Sequence, residues 1–94
     1  MQYMIIEYFR DRDAAAVYRR FAEEGRMAPE GLTYVNSWVE LNFERCFQVM
    51  ECADPRLLQE WMARWSDLID FEVIPVVSSA DTVRSLGPLL EEED

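Results

Sequence analysis

The chain has 94 residues, half of them apolar, which suits one folded domain with a modest core and excludes a disordered body. Its formal charge is -10, with no lysine, a balance that disfavours nucleic acid and anionic membranes as partners. Histidine is absent, which removes the commonest general base, the usual catalytic triads and most zinc or iron sites, so neither metal nor cofactor is expected.

Gln2 to Phe9 reads as a strand. Tyr3, Ile5 and Phe9 alternate with Met4, Ile6 and Tyr8, so both faces are apolar and both should be covered. Asp11 or Asp13 can cap the helix that follows, in which Ala14, Val17, Tyr18, Phe21 and Ala22 recur at helical spacing. Gly25 is a helix stop. Pro29, Glu30 and Gly31 make a turn. A second strand, Leu32 to Glu40, places Leu32, Tyr34, Asn36 and Trp38 on one face and Thr33, Val35, Ser37 and Val39 on the other. A short loop leads to a third strand, Arg45 to Cys52, and the two form a hairpin. Asp54 followed by Pro55 starts a second helix, whose buried stripe is Leu58, Trp61, Met62, Trp65 and Leu68. Phe71 to Val77 is the last strand, and Pro75 places it at an edge. Ser78 and Asp81 fit the cap of a short final helix that Gly87 and Pro88 end; Leu89 to Asp94 follows as a loose acidic tail.

Cys46 and Cys52 lie six positions apart in one strand, about 20 Å at ~3.3 Å per residue. A disulfide needs Cα atoms within about 7 Å. Both thiols are therefore expected to be free, as in a reducing cytoplasm. No basic segment precedes a long apolar run near Met1, so neither a signal peptide nor a membrane span is expected, and the expected location is cytoplasmic.

The order β-α-β-β-α-β is the ferredoxin-like α+β plan: an antiparallel sheet ordered 4-1-3-2, with both helices on one face. Residues 1–78 make this domain, and 79–94 the short helix and acidic tail. The face carrying Met4, Ile6, Tyr8, Val35, Val39, Phe47, Val49, Val73 and Val77 is assigned to the helices. The other face then carries Ile5, Glu7, Phe9, Tyr34, Asn36, Trp38, Cys46, Gln48, Glu72 and Ile74. That face is too apolar for water, so a homodimer is expected, sheet against sheet, and a charge at Ile5 or Ile74 should weaken it. Within this apolar frame Glu7, Asn36, Gln48 and Glu72 form a polar set that needs partners.

Three stretches carry a resemblance. They are Met4-Ile5-Ile6-Glu7, Arg45-Cys46-Phe47-Gln48-Val49-Met50-Glu51, and Glu60-Trp61 through Trp65-Ser66-Asp67-Leu68 to Phe71-Glu72-Val73-Ile74-Pro75-Val76. Together they resemble the domain of unknown function 3303 family, within the dimeric α/β barrel superfamily. The resemblance implies a dimeric barrel and brings no assigned reaction. The superfamily includes cofactor-independent monooxygenases, muconolactone isomerases and haem-degrading enzymes, some of which use Asn and Trp near a strand, as Asn36 and Trp38 would be. A haem-handling member would normally offer a His ligand, which this chain lacks.

Glu7 and Glu72, on adjacent strands, are the candidate acid and base; if close and desolvated, one would keep its proton near neutrality. The plainer reading is that they hydrogen-bond to Arg45, to Asn36 or Gln48, or across the dimer seam. Tyr34, Asn36, Trp38 and Gln48 are the candidate ligand-binding residues, against plain structural bonding at a wet dimer seam. Trp61 and Trp65 share a helix face and are read as core rather than as a ligand platform. Arg19 and Arg20 read as a solvated helix face, and Asp67 as a turn residue. The leading functional reading is a small homodimer that binds a neutral or cationic organic molecule. The alternatives are a cofactor-independent monooxygenase or isomerase, and a scaffold module without a ligand.

Overall fold

The computed structural model describes residues 1–91. Strand β1 (Gln2–Phe9) passes through a single 3-10 turn at Arg10–Arg12 into helix α1 (Ala14–Glu24). Asp13 caps that helix, accepting from the Ala16 N–H at 3.0 Å. Gly25 ends it at φ +71°, where a residue with a Cβ would be strained, and its N–H reaches the Phe21 carbonyl at 2.8 Å. Strands β2 (Thr33–Val39) and β3 (Arg45–Glu51) form the hairpin. Helix α2 (Arg56–Ala63) starts where the Asp54 carboxylate takes the Arg56 N–H at 3.0 Å. Strand β4 (Ile69–Val76) and helix α3 (Ser79–Glu91) complete the described chain.

The sheet runs β2-β3-β1-β4, all antiparallel, which is the ferredoxin-like order read from the other edge. Among the described residues strand β4 pairs only with β1 and is an edge, so the missing N–H of Pro75 costs no shared ladder.

Strands β1 and β3 turn the reverse way from the sequence expectation, whereas β4 turns as expected, with Val73 opposite Ile5 and with Glu72 and Ile74 opposite Ile6 and Met4. Ile5, Phe9, Cys46 and Met50 are buried with Val17, Leu58, Trp61, Trp65 and Ile69 in one core. The helices therefore cover the face of Ile5, Glu7 and Gln48. The open face carries Met4, Ile6, Tyr8, Phe47, Val49 and Ile74, with Met4 opposite Val49 and Ile74, Ile6 opposite Phe47, and Tyr8 opposite Arg45 and Asp70. Ile5, expected at a dimer seam, has no exposure. Periodicity finds the alternation in β1 but not its sense, because both faces are apolar. Glu7 and Gln48 pulled the assignment outward by the ordinary cost of burying polar groups.

Two further corrections concern β2 and α3. The register slips between Tyr34 and Asn36, which sit opposite Met50 and Val49, so Val35 is an extra residue. Such a bulge reverses the alternation beyond it. Tyr34 lies on the helix side. Asn36 and Trp38, opposite Val49 and Phe47, lie on the open face as expected, so Tyr34 alone of the three changes sides, and Ser37 comes opposite Gln48. Helix α3 does not stop at Gly87 and Pro88 but continues to Glu91. It buries no residue, so water can serve the Arg84 carbonyl that Pro88 leaves without an N–H. Leu89, Leu90 and Glu91 thus belong to α3, and residues 92–94 of the expected tail lie outside the described residues. Ser78 caps α3 as expected, its Oγ accepting from the Asp81 N–H at 3.1 Å. Among the described residues no helix is long and apolar enough to cross a membrane.

Candidate functional site

A cavity of about 250 Å³ lies between the helix-covered face of the sheet and the two core helices. At ~30 Å³ per water molecule this is room for roughly eight waters, or for one ring with small substituents. Its inner wall is buried and mostly apolar: Phe9, Val17, Trp61, Trp65 and Ile69. Three groups from the sheet break that wall, namely Glu7 from β1 and Cys46 and Gln48 from β3. Tyr18 and Phe21 of α1, half-buried Ser37 of β2 and half-buried Arg26 form the rim.

Glu7 is only 6% exposed and makes no hydrogen bond among the described residues. No wholly buried side-chain nitrogen or oxygen there lacks a partner. The Glu7 carboxyl is therefore not sealed in the wall; it opens into the cavity. Burial pushes its pKa up from 4.5 to about 7, against an opposing pull from Arg26. Gln48, 4% exposed, spends one N–H on the Met50 sulfur at 3.1 Å. Burial, and then the nearby Glu7 charge, push the Cys46 thiol up to about 12, so it is a neutral wall residue at ordinary pH. Cys46 and Cys52 are both buried and unpaired by disulfide.

The rim is held by α2 and the turn that follows it. Trp61 and Trp65 each donate their indole N–H to the Arg26 carbonyl, both at 3.0 Å. Arg64 donates to the Met27 carbonyl at 2.5 Å. The segment after Gly25 is thus tied to α2 at two consecutive carbonyls. The Arg26 guanidinium lies 3.7 Å from the centre of the Tyr34 ring and 5.1 Å from that of Phe21. The sequence reading missed Arg26. A single arginine in a loop between Gly25 and Pro29 carries no periodic signal.

The structure divides the expected site residues between the two faces. Glu7 and Gln48 share the cavity, and Tyr34 braces Arg26 beside it. Asn36 and Trp38 lie on the open face. So does Glu72, which sits opposite Ile6, not beside Glu7, and accepts from the Tyr8 hydroxyl at 3.0 Å. Glu7 and Glu72 therefore form no carboxylate pair. Arg45 does not reach Glu7 either; it makes a two-point pair with Glu40 at 2.7 and 2.8 Å. Arg20, read as a solvated cation, makes a two-point pair with Asp67 at 2.7 and 2.6 Å. This pairing holds the Asp67 carboxyl down at about 2. Trp61 and Trp65 are core residues as expected, and they also wall the cavity.

Among solved structures, protein Atu4242 from Agrobacterium tumefaciens is similar to this chain at 14% identity and a TM-score of 0.49. The match covers 84% of this chain and 96% of the other. No curated protein matches the chain. A family model does match, over residues 1–90. The chain belongs to that family, described as domain of unknown function DUF3303.

Proposed function

We propose that this protein binds a small organic molecule in the cavity between its sheet and its helices. The observation that carries this reading is Glu7: a deeply buried carboxyl, without a partner among the described residues, that lines a space walled by aromatic and aliphatic side chains. A buried polar group in that state is costly for folding unless a ligand or ordered water completes it. Small pockets of this make-up, mostly apolar with a few convergent polar groups, are the usual form of ligand sites. Trp61 and Trp65 supply the readout, because a molecule entering the cavity changes the surroundings of both indoles. A panel of single-ring compounds should include at least one that quenches or shifts their fluorescence and raises the melting temperature. The Val17→Phe variant, which fills the cavity from α1, should abolish both responses while remaining folded by circular dichroism. Ligand responses that survive unchanged in Val17→Phe would move the site elsewhere.

A second reading has one observation in its favour. A carboxyl with a pKa near 7 inside a ligand cavity is suited to general acid–base work. An isomerase or a cofactor-independent oxygenase would use Glu7, and not Glu72, as its base. Turnover of a bound compound that is lost in Glu7→Gln while binding persists would favour the enzyme over the binder.

We also propose that two copies associate through the open sheet face. Tyr8, Trp38 and Ile74 are exposed there beside Ile6, Phe47 and Val49, an apolar surface of the kind that monomers seldom leave in water. A twofold interface would let this face meet its own copy. Replacing Ile74 or Trp38 with aspartate should lower the sedimentation coefficient to that of a monomer at micromolar concentration with little change in helix content. A native protein that sediments as a monomer would end this proposal and leave the cavity reading intact.

A further inference from the structure

The cavity has two chemically opposite poles, and neither is matched by the protein. The chain has nine arginines and nineteen acidic residues, so carboxylates outnumber cations about two to one. Seven of the nine arginines make ion pairs: Arg10, Arg12, Arg20, Arg45, Arg56, Arg64 and Arg84. Among the described residues the two without a carboxylate partner are Arg19, an exposed residue on α1, and Arg26, at the rim of the cavity. Arg26 is not free for want of order. Its carbonyl is held by two indole N–H groups and its guanidinium is stacked on Tyr34 and Phe21. Stacking uses the faces of a guanidinium and leaves its N–H edge, the part that pairs with a carboxylate, available.

Glu7 is the other pole. It and Arg26 line the same cavity but form no ion pair with each other. A ligand can therefore reach each of them separately. Phe9, Val17, Trp61 and Trp65 line the same cavity with apolar surface.

We propose that the cavity selects a small ring-bearing carboxylate that also carries a hydrogen-bond donor, with the carboxylate on Arg26 at the rim and the donor on Glu7 inside. This rests on the cavity being the ligand site and specifies what enters it. It replaces the neutral or cationic ligand expected from net charge alone, because a cation would meet Arg26 on its way in. A single carboxylate also suits the site better than a phosphate, since a dianion would be repelled more strongly by the surrounding acidic protein. The aromatic wall suits a flat ring.

Calorimetric titration of the native protein tests the assignment with four probes. Para-hydroxybenzoate has both features, benzoate lacks the donor, phenol lacks the carboxylate, and tyramine replaces the carboxylate with a cation. Para-hydroxybenzoate should bind tightest, and removing the carboxylate should weaken binding by about tenfold or more, the usual effect of losing a charge-assisted hydrogen bond. Arg26→Gln should erase the preference for para-hydroxybenzoate over phenol. Arg26→Lys should restore part of it, which a collapsed rim would not do. Phenol or tyramine binding as tightly as para-hydroxybenzoate, with Val17→Phe blocking it, would overturn the ligand assignment and leave the cavity as a site. No binding by either carboxylate would overturn it as well. An Arg26→Gln protein that keeps the full preference would show that the carboxylate is read elsewhere.

Discussion

Replacing Trp61 with alanine should lower the unfolding free energy by about 3–5 kcal/mol, the usual cost of deleting a large buried aromatic. Trp61 is 2% exposed and packs against Phe71 with ring centres 5.4 Å apart. Its indole also holds the Arg26 carbonyl. A domain of this size is stable by only about 5–15 kcal/mol, so the variant should sit near its folding threshold. Trp61→Phe separates the two contributions. It keeps most of the apolar contact and drops one hydrogen bond, for a loss of about 1 kcal/mol. Trp65 still holds the same carbonyl, so the rim should stay in place in that variant. Urea unfolding followed by circular dichroism measures both. A loss below about 1 kcal/mol in Trp61→Ala would mean that α2 does not anchor the core as described.

The contrast between what the sequence revealed and what it hid follows from the kind of signal each feature leaves. Strand β1, helix α1 and the hairpin of β2 and β3 were legible because alternation, helical spacing and the Asp13, Gly25 and Asp54 boundary residues all agreed. The strand order followed from that element order and from Pro75, which fits only an edge. The sense of the sheet was not legible. Met4, Ile6 and Tyr8 are as apolar as Ile5 and Phe9, and no pattern says which set the helices cover. Burial cost placed Glu7 and Gln48 outward, and they are inside because a cavity lets them meet something other than apolar packing. The bulge at Val35 also escaped, since neither Gly nor Pro marks it. That one residue sends Asn36 and Trp38 to the open face and brings Ser37 to the cavity. Arg26 depends on contacts more than thirty positions away, with Trp61 and Trp65. Local sequence carries no trace of such a contact, although two tryptophans on one helix face do signal two indole N–H groups in need of an acceptor.

Glu7 should make the protein less stable as pH rises from about 4.5 to about 7. Its carboxyl titrates near 7 in the folded protein and near 4.5 in the unfolded chain, with burial as the main cause. In that window the folded state holds the proton and the unfolded state has released it. Stability therefore falls with rising pH, because the unfolded chain binds fewer protons. Over the whole window the loss from this group is about 3 kcal/mol at 1.36 kcal/mol per pKa unit. Arg26, facing the same cavity, lessens the shift without reversing it. Cys46, at about 12, and Tyr18, raised by burial, stay neutral throughout, and the Asp67 pair titrates near 2, below the window. Glu7→Gln keeps the shape of the protonated carboxyl and cannot ionise. It should match the native protein in stability at pH 4.5 and exceed it by about 3 kcal/mol at pH 8. Urea midpoints measured across that range decide the matter. If native protein and Glu7→Gln change in parallel, the carboxyl is already ionised at pH 5, as it would be when water fills the cavity and solvates it. Glu7 would then meet a ligand donor as a charged acceptor, and the general acid–base reading would lose its basis.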